Sequence, residues 1–228
     1  MNSNENLNLK GQHALFSPSQ PSWLNYDTTD TNEFIWKFIG KFRSNLGTEI
    51  HGWAASQIEL GQKVTSVKEA IKDIKSYIYN KYYSEKYGLS DYGSMLLRCF
   101  IYIPYDVIST VRTYINDAVG FKMKTEQVIY YSEYFFGTCD AIKVDKNLIR
   151  IHDLKTGSMS ADMNQLIVYA SLYCLSKDID PYKIPIELRI YQSDDILILN
   201  PTGDEIVPVM DKITKLNNLC MKFKGGLL

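Results

Sequence analysis

Apolar positions along the chain follow two periods in succession. From Glu33 to about Gln62, the residues Phe34, Ile35, Phe38, Ile39 and Phe42 recur at helical spacing, and Gly47 is expected to split this region into two helices. A third helix is predicted from Ser66, an N-cap with Glu69 at the capping-box position, to about Lys86. Its apolar face is Val67, Ile71, Ile74 and Ile78. Helical spacing resumes from Tyr92 to Val119, with a break near Pro104, which has no amide proton to donate. After Gly120 the texture turns β-branched and aromatic, predicting strands at about 125–134, 137–144 and 148–154 in an antiparallel meander. Met163, Leu166, Ile167, Ala170 and Cys174 return to helical spacing over about 161–175. Strands at about 184–192 and 195–199 and a terminal helix from about Asp211 to Phe223 complete the order.

Residues 1–30 are rich in Asn, Ser, Pro, Asp and Thr, so a loosely structured segment is expected there, with only Ala14 to Phe16 and Trp23-Leu24 able to dock. A single domain is expected over 31–228, since 45% hydrophobic content suffices for one core and no composition break divides it. The net charge of −1 argues against a protein that coats nucleic acid non-specifically, though not against a local basic groove. Cys99, Cys139, Cys174 and Cys220 form no CxxC pair, which speaks against a zinc ribbon or a disulfide framework. With no basic-then-apolar leader and no apolar run near the about 20 residues that span a bilayer, a soluble cytoplasmic protein with no membrane partner is expected.

Chemistry concentrates in the second and third strands. If Asp145-Lys146-Asn147-Leu148 is a four-residue hairpin loop, Val144 faces Ile149, Ile142 faces Ile151 and Asp140 faces Asp153. Directly paired residues share a face, with Cβ atoms about 4.5–5.5 Å apart. Two facing carboxylates repel, and a divalent cation between them turns that repulsion into coordination. Lys155, two residues beyond Asp153, falls on the same face. Two carboxylates and an ammonium suit phosphodiester hydrolysis, in which a hard cation such as magnesium or manganese polarises a phosphoryl oxygen and the lysine stabilises charge at phosphorus. Taken singly, each of the three is more simply a solvated strand-end side chain.

Gly137-Thr138-Cys139-Asp140 followed by Ile151-His152-Asp153-Leu154-Lys155-Thr156-Gly157 resembles the core motif of the PD-(D/E)XK nuclease superfamily, in its RecB-type exonuclease branch. The likeness covers about residues 47–175 and is strongest at Asp153–Gly157; Cys139 stands where the superfamily has its proline. Gln165 and Tyr169 match a Gln-x-x-x-Tyr signature on the following helix, and Gly47, Thr48 and His51 match an upstream Gly-Thr-x-x-His helix. Phe16 to Ser19 with Trp23 to Asn25 is similar to the opening of phage-encoded relatives. The resemblance implies an α/β restriction-endonuclease-like core, a central mixed sheet flanked by helices with an added helical N-terminal region. It implies metal ligation by His51, Asp140, Asp153 and the Leu154 carbonyl, catalysis by Asp140, Asp153 and Lys155, and phosphate-side contacts from Gln165 and Tyr169. It further implies a Mg2+- or Mn2+-dependent deoxyribonuclease, an exonuclease of DNA recombination or end processing that leaves a 5′-phosphate, with DNA as partner. A homo-oligomer or a recombination partner protein is left open. The downstream cysteine cluster that holds an iron–sulfur cluster in some relatives is missing, so no cluster is expected. The alternatives are a non-catalytic DNA- or protein-binding module on the same fold, and an enzyme acting on another phosphate ester in a closed pocket.

Several residues carry a plainer reading beside the functional one. His51 shares a helical face with Ala54, Ala55 and Ile58, as a core histidine would, and Tyr169 could simply pack. His13 and His152 are read as structural, and Glu133 as an acidic support of the site from the first strand. The Lys75 to Tyr87 stretch mixes tyrosines and lysines as single-strand binders do, but equally as a solvated helix face; Lys37, Lys41 and Arg43 form a comparable candidate.

Overall fold

A computed structural model describes residues 31–157 and 161–226, with Pro18, Pro21–Asn25, Asp27 and Thr29 ahead of them. The expectations for Ala14 to Phe16 and for His13 lie outside the described residues. Leu24, in a short 3-10 turn over Pro21–Asn25, is exposed and does not dock.

The elements are α1 (Thr31–Glu59), α2 (Val67–Tyr82), β1 (Tyr83–Ser84), β2 (Gly88–Leu89), α3 (Asp91–Cys99), α4 (Tyr105–Gly120), β3 (Lys124–Ser132), β4 (Phe135–Asp145), β5 (Leu148–Leu154), α5 (Asn164–Lys177), β6 (Ile186–Gln192), β7 (Asp195–Leu199) and α6 (Gly203–Lys224). The protein is α/β, with a five-stranded mixed sheet ordered β3-β4-β5-β6-β7, flanked by helices. Only the β5–β6 pair is parallel, joined through α5 as a parallel pair requires. One core packs α1 to α4 against Ala141, Leu154 and Tyr191; a second packs α5 and α6 against Ile142, Ile149 and Ile151. No single described helix is long and apolar enough to cross a membrane.

Helix α1 runs unbroken through Gly47, contrary to the expected break. Ile39, Leu46, Ile50, Trp53 and Ile58 bury one stripe along it, and that packing outweighs the roughly 1 kcal/mol a helical glycine costs. Gly47 is there for close approach: a Cβ on it would stand 2.8 Å from the Thr156 Oγ1.

Ser66 caps α2 by accepting the Glu69 amide (3.1 Å), but the Glu69 carboxylate returns to the Thr65 amide (2.7 Å), one residue short of a reciprocal box. The helix ends at Tyr82, not near Lys86, where a small hairpin of β1 and β2 takes over. Pro104 separates α3 from α4 as predicted.

The β4–β5 register is the predicted one, with Val144 opposite Ile149 and Ile142 opposite Ile151. Asp145 and Leu148 are themselves paired, so the connection is the two residues Lys146-Asn147 and not a four-residue loop. Helix α5 begins at Asn164 and not at about Ala161. Helix α6 starts at Gly203, well before the expected Asp211, because Thr202 and Glu205 form a capping box and Pro208 is accommodated within it. Gly203 is needed there: a Cβ would overlap the Tyr182 ring at 2.3 Å.

Candidate functional site

Four elements converge where β5 ends. Helix α1 brings His51, β4 brings Asp140, β5 brings Asp153 with Lys155 just beyond, and α5 brings Gln165. The printed β4–β5 pairs end at Ala141–His152, one short of Asp140–Asp153. At that point the Asp140 carboxylate itself accepts the Leu154 amide at 2.8 Å. Asp140 Oδ2 also lies 3.4 Å from His51 Nδ1. The Leu154 backbone thus ties Asp140 to the Asp153–Lys155 segment, while its side chain anchors in the helical core.

The two aspartates do not present one flat face, as simple alternation would have them. Asp140 turns to α1, where it lines an open cavity of about 560 Å³ with Thr48, His51, Glu126 and Thr156. Asp153 is buried and faces Lys155, whose Nζ lies 3.2 Å from Oδ1 and 3.0 Å from Oδ2. Lys155 also donates to Gln165 Oε1 at 2.8 Å. Tyr169, one turn on, donates its hydroxyl to the Thr138 carbonyl at 2.7 Å and so fastens α5 to β4. A Cβ at Gly137 would meet that tyrosine ring at 2.9 Å, which accounts for the glycine in the Gly137–Asp140 segment.

Electrostatics bind the group together. Burial pulls the His51 pKa down, but the hydrogen bond and charge of Asp140, backed by Asp153 and Glu126, outweigh it and hold the imidazole above its ordinary value. Burial, and then the neighbouring Asp140, raises the Asp153 carboxyl despite Lys155. Burial and Asp140 likewise raise Glu126.

Glu126 is the residue that sequence reasoning missed. Thr125 and Glu126 are consecutive, yet Thr125 bonds Glu59 of α1 (3.1 Å) and Glu126 lines the cavity with His51, also of α1. Strict alternation forbids this. Glu126 escapes it by adopting a left-handed backbone, φ 49°. The neighbouring β3–β4 pairs, Thr125–Ala141 and Gln127–Cys139, bracket Glu126 and Asp140, but the break in alternation leaves no sequence signal for the side that Glu126 takes. Glu133, expected as the acidic support, lies in the β3–β4 turn and pairs with Lys224 of α6 at 2.6 Å; it has no part in the site.

His152 is structural, as read. It alternates to the far side of the sheet, fully buried between the Phe121 and Tyr191 rings, and burial with Arg189 and Arg150 nearby pushes its pKa down to about 3. In the Lys75 to Tyr87 stretch, Ile78 is core, and Lys81 and Tyr82 both bond the buried Glu49. Tyr79 and Tyr83 stack on the surface. The side chains of Lys37 and Lys41 lie outside what is described, and Arg43 is exposed.

The donor set suits a hard divalent cation. One imidazole and the carboxylates of Asp140, Asp153 and Glu126 share one neighbourhood, and Asp153 Oδ2 is buried with no well-aligned hydrogen bond. Among the described residues, no three such side chains already stand at metal-binding spacing. Instead the carboxylates face the His51 imidazole and the Lys155 ammonium. The four cysteines are unbonded, three of them buried.

Compared with protein families, curated proteins and solved structures, the chain matches none.

Proposed function

We propose that this protein is a divalent-metal-dependent deoxyribonuclease on a PD-(D/E)XK-like core, acting on DNA ends as an exonuclease. The observation that carries the reading is the convergence of His51, Asp140, Asp153, Lys155 and Gln165 from four separate elements. A structural role for any one of them would not require the others.

His51, Asp140 and Asp153 would hold the cation, with the Leu154 carbonyl and Glu126 beside them. When bound, a divalent cation supplies Lewis-acid stabilisation of the charge that grows on the phosphoryl oxygens. Lys155 stands at the acidic end of the site, released from Asp153 once that carboxylate is otherwise engaged, and steadied by Gln165. From there its ammonium orients an attacking water or stabilises charge at phosphorus. Tyr169 acts through position, keeping α5 and therefore Gln165 in register with β4. That the cavity is open to solvent and not enclosed favours a polymer over a small phosphate ester held in a closed pocket.

The test is incubation of linear, nicked and circular DNA with the protein in Mg2+ or Mn2+, beside Lys155→Ala and Asp153→Ala. Linear DNA should be degraded and covalently closed circles spared. An absence of cutting by the unaltered chain, or equal cutting by both variants, overturns the proposal; cutting of circles would leave a nuclease that is not an exonuclease.

A further inference from the structure

A second concave surface lies along the same strands, on the α5 side of the sheet. It is a cavity of about 560 Å³ floored by Ile142 and Tyr173 and rimmed by Lys122, Lys124, Lys143 and Lys177. These lysines come from the turn before β3, from β3, from β4 and from the end of α5. Among the described residues only Lys143 has a carboxylate partner, Asp145 at 3.3 Å.

Ordinary explanations cover them singly. Lysine on an edge strand such as β3 discourages stray pairing, and lysine in a last helical turn complements the helix dipole. Neither explains why four lysines from four segments line one hollow in a chain of net charge −1. Lys177 is not needed as a cap either, since the Cys174 carbonyl is already taken by the Asp178 and Ile179 amides and that of Leu175 by Asp178. Three lysines with no carboxylate partner among the described residues, set around one hollow, make a local positive potential that attracts an anion. The apolar floor with its tyrosine ring suits a base or sugar, the ammonium rim suits phosphate, and the volume is that of a small-ligand site.

Register ties this hollow to the acidic site. Lys124 pairs with Ile142, and Glu126 and Asp140 lie two residues further along their strands, about 7 Å away. A strand crossing the β3 edge would meet both. The geometry points to a nucleotide-phosphate site in which Lys122, Lys124 and Lys177 hold a nucleotide away from the cleavage centre. As a contact for the strand being processed, it rests on the nuclease reading; as a nucleotide-phosphate site it can be tested without it.

Binding of a labelled single-stranded DNA 20-mer is measured against salt in the Lys155→Ala chain, so that nothing is cut. The same measurement follows for that chain with Lys122→Gln, Lys124→Gln and Lys177→Gln added. Each lost phosphate contact should lower the slope of log K against log salt by about 0.7, so the triple change should remove about 2. A control triple, Lys68→Gln, Lys72→Gln and Lys215→Gln, removes equal charge elsewhere. Thermal melting confirms that all variants fold. Direct titration with dTMP separates the sources: loss of dTMP binding alone assigns the hollow to free nucleotide, and loss of 20-mer binding to a strand. The proposal is overturned if neither ligand responds to the triple change, or if the control triple does as much. Should the chain with Lys155 intact cut no DNA while the slope still falls by about 2, the nuclease reading fails and the hollow stands. Should cutting depend on Lys155 while neither ligand responds, only the hollow is lost.

Discussion

Gly47 and Thr156 touch across the mouth of the site, so closely that a Cβ on the glycine would lie 2.8 Å from the threonine Oγ1. A methyl at position 47 would press on that hydroxyl, one turn from His51 on the same helix. Gly47→Ala should therefore cost about 1–3 kcal/mol by overpacking, less the roughly 1 kcal/mol that alanine gains in a helix. The activity loss should exceed what that stability loss explains, because His51 is displaced. Adding Thr156→Ala should restore much of both; a double-mutant cycle by denaturant melting and cleavage assay checks it. Gly40→Ala on the same helix, with nothing within 4 Å of its Cβ, should instead stabilise by about 0.5–1 kcal/mol.

Lys155 and Gln165 should differ in rank. Lys155→Ala should lower the cleavage rate about 100- to 1000-fold, the scale of losing a charge-stabilising donor. Gln165→Ala removes the 2.8 Å hydrogen bond that steadies the ammonium, together with a contact to the Tyr169 hydroxyl, and should cost about tenfold or less. Single-turnover cleavage measures both, and a larger loss in Gln165→Ala than in Lys155→Ala would contradict the assigned roles.

Glu126 holds a left-handed backbone that a glutamate adopts at a cost of about 1–2 kcal/mol. Asparagine tolerates that conformation better. Glu126→Asn should raise the melting temperature of the metal-free protein by a few degrees and weaken Mn2+ binding, read by titration calorimetry. Such strain, tolerated where it aims an acidic side chain, is expected of a functional position.

His152 gives the protein an acid sensitivity of its own. Its folded pKa is depressed to about 3 from the ordinary 6.5, so between those values the unfolded chain binds a proton that the folded one refuses. Stability from this group is fully present above pH 6.5 and falls as pH drops, by up to about 1.4 kcal/mol per pH unit, until the folded pKa is passed. His152→Phe, of similar shape and without a titrating group, should flatten the pH dependence of denaturant melting across that window. An unchanged slope would show that other groups carry the acid sensitivity.

How much of this was legible in the sequence varies by residue. The β4–β5 register was, because the short hairpin connection around Lys146-Asn147 sets Val144 against Ile149 and Ile142 against Ile151. The gathering of Asp140, Asp153 and Lys155 at one end of the two strands follows from that register. Glu126 was not, since its left-handed backbone breaks the alternation by which strand faces are read. Gly47 was misjudged because local propensity treats glycine as a helix breaker, whereas the buried stripe of α1 carries the helix through it; the early start of α6 was missed because its capping box at Thr202 and Glu205 lies ahead of the apolar spacing. Glu133 was placed by its position in the sequence, and only the fold shows Lys224 of α6 claiming it.

The unbroken course of α1 has a consequence in time. Its apolar stripe belongs to the helical core, while the carboxylates and Lys155 stand at the end of strands shared with the other core, so the histidine reaches its aspartate only when the two halves have met. A molecule with its sheet formed and its first helix still undocked holds an incomplete centre. If the centre is catalytic, its competence is therefore tied to the docking of the first helix, and a chain whose sheet is intact but whose α1 is detached lacks His51 beside Asp140.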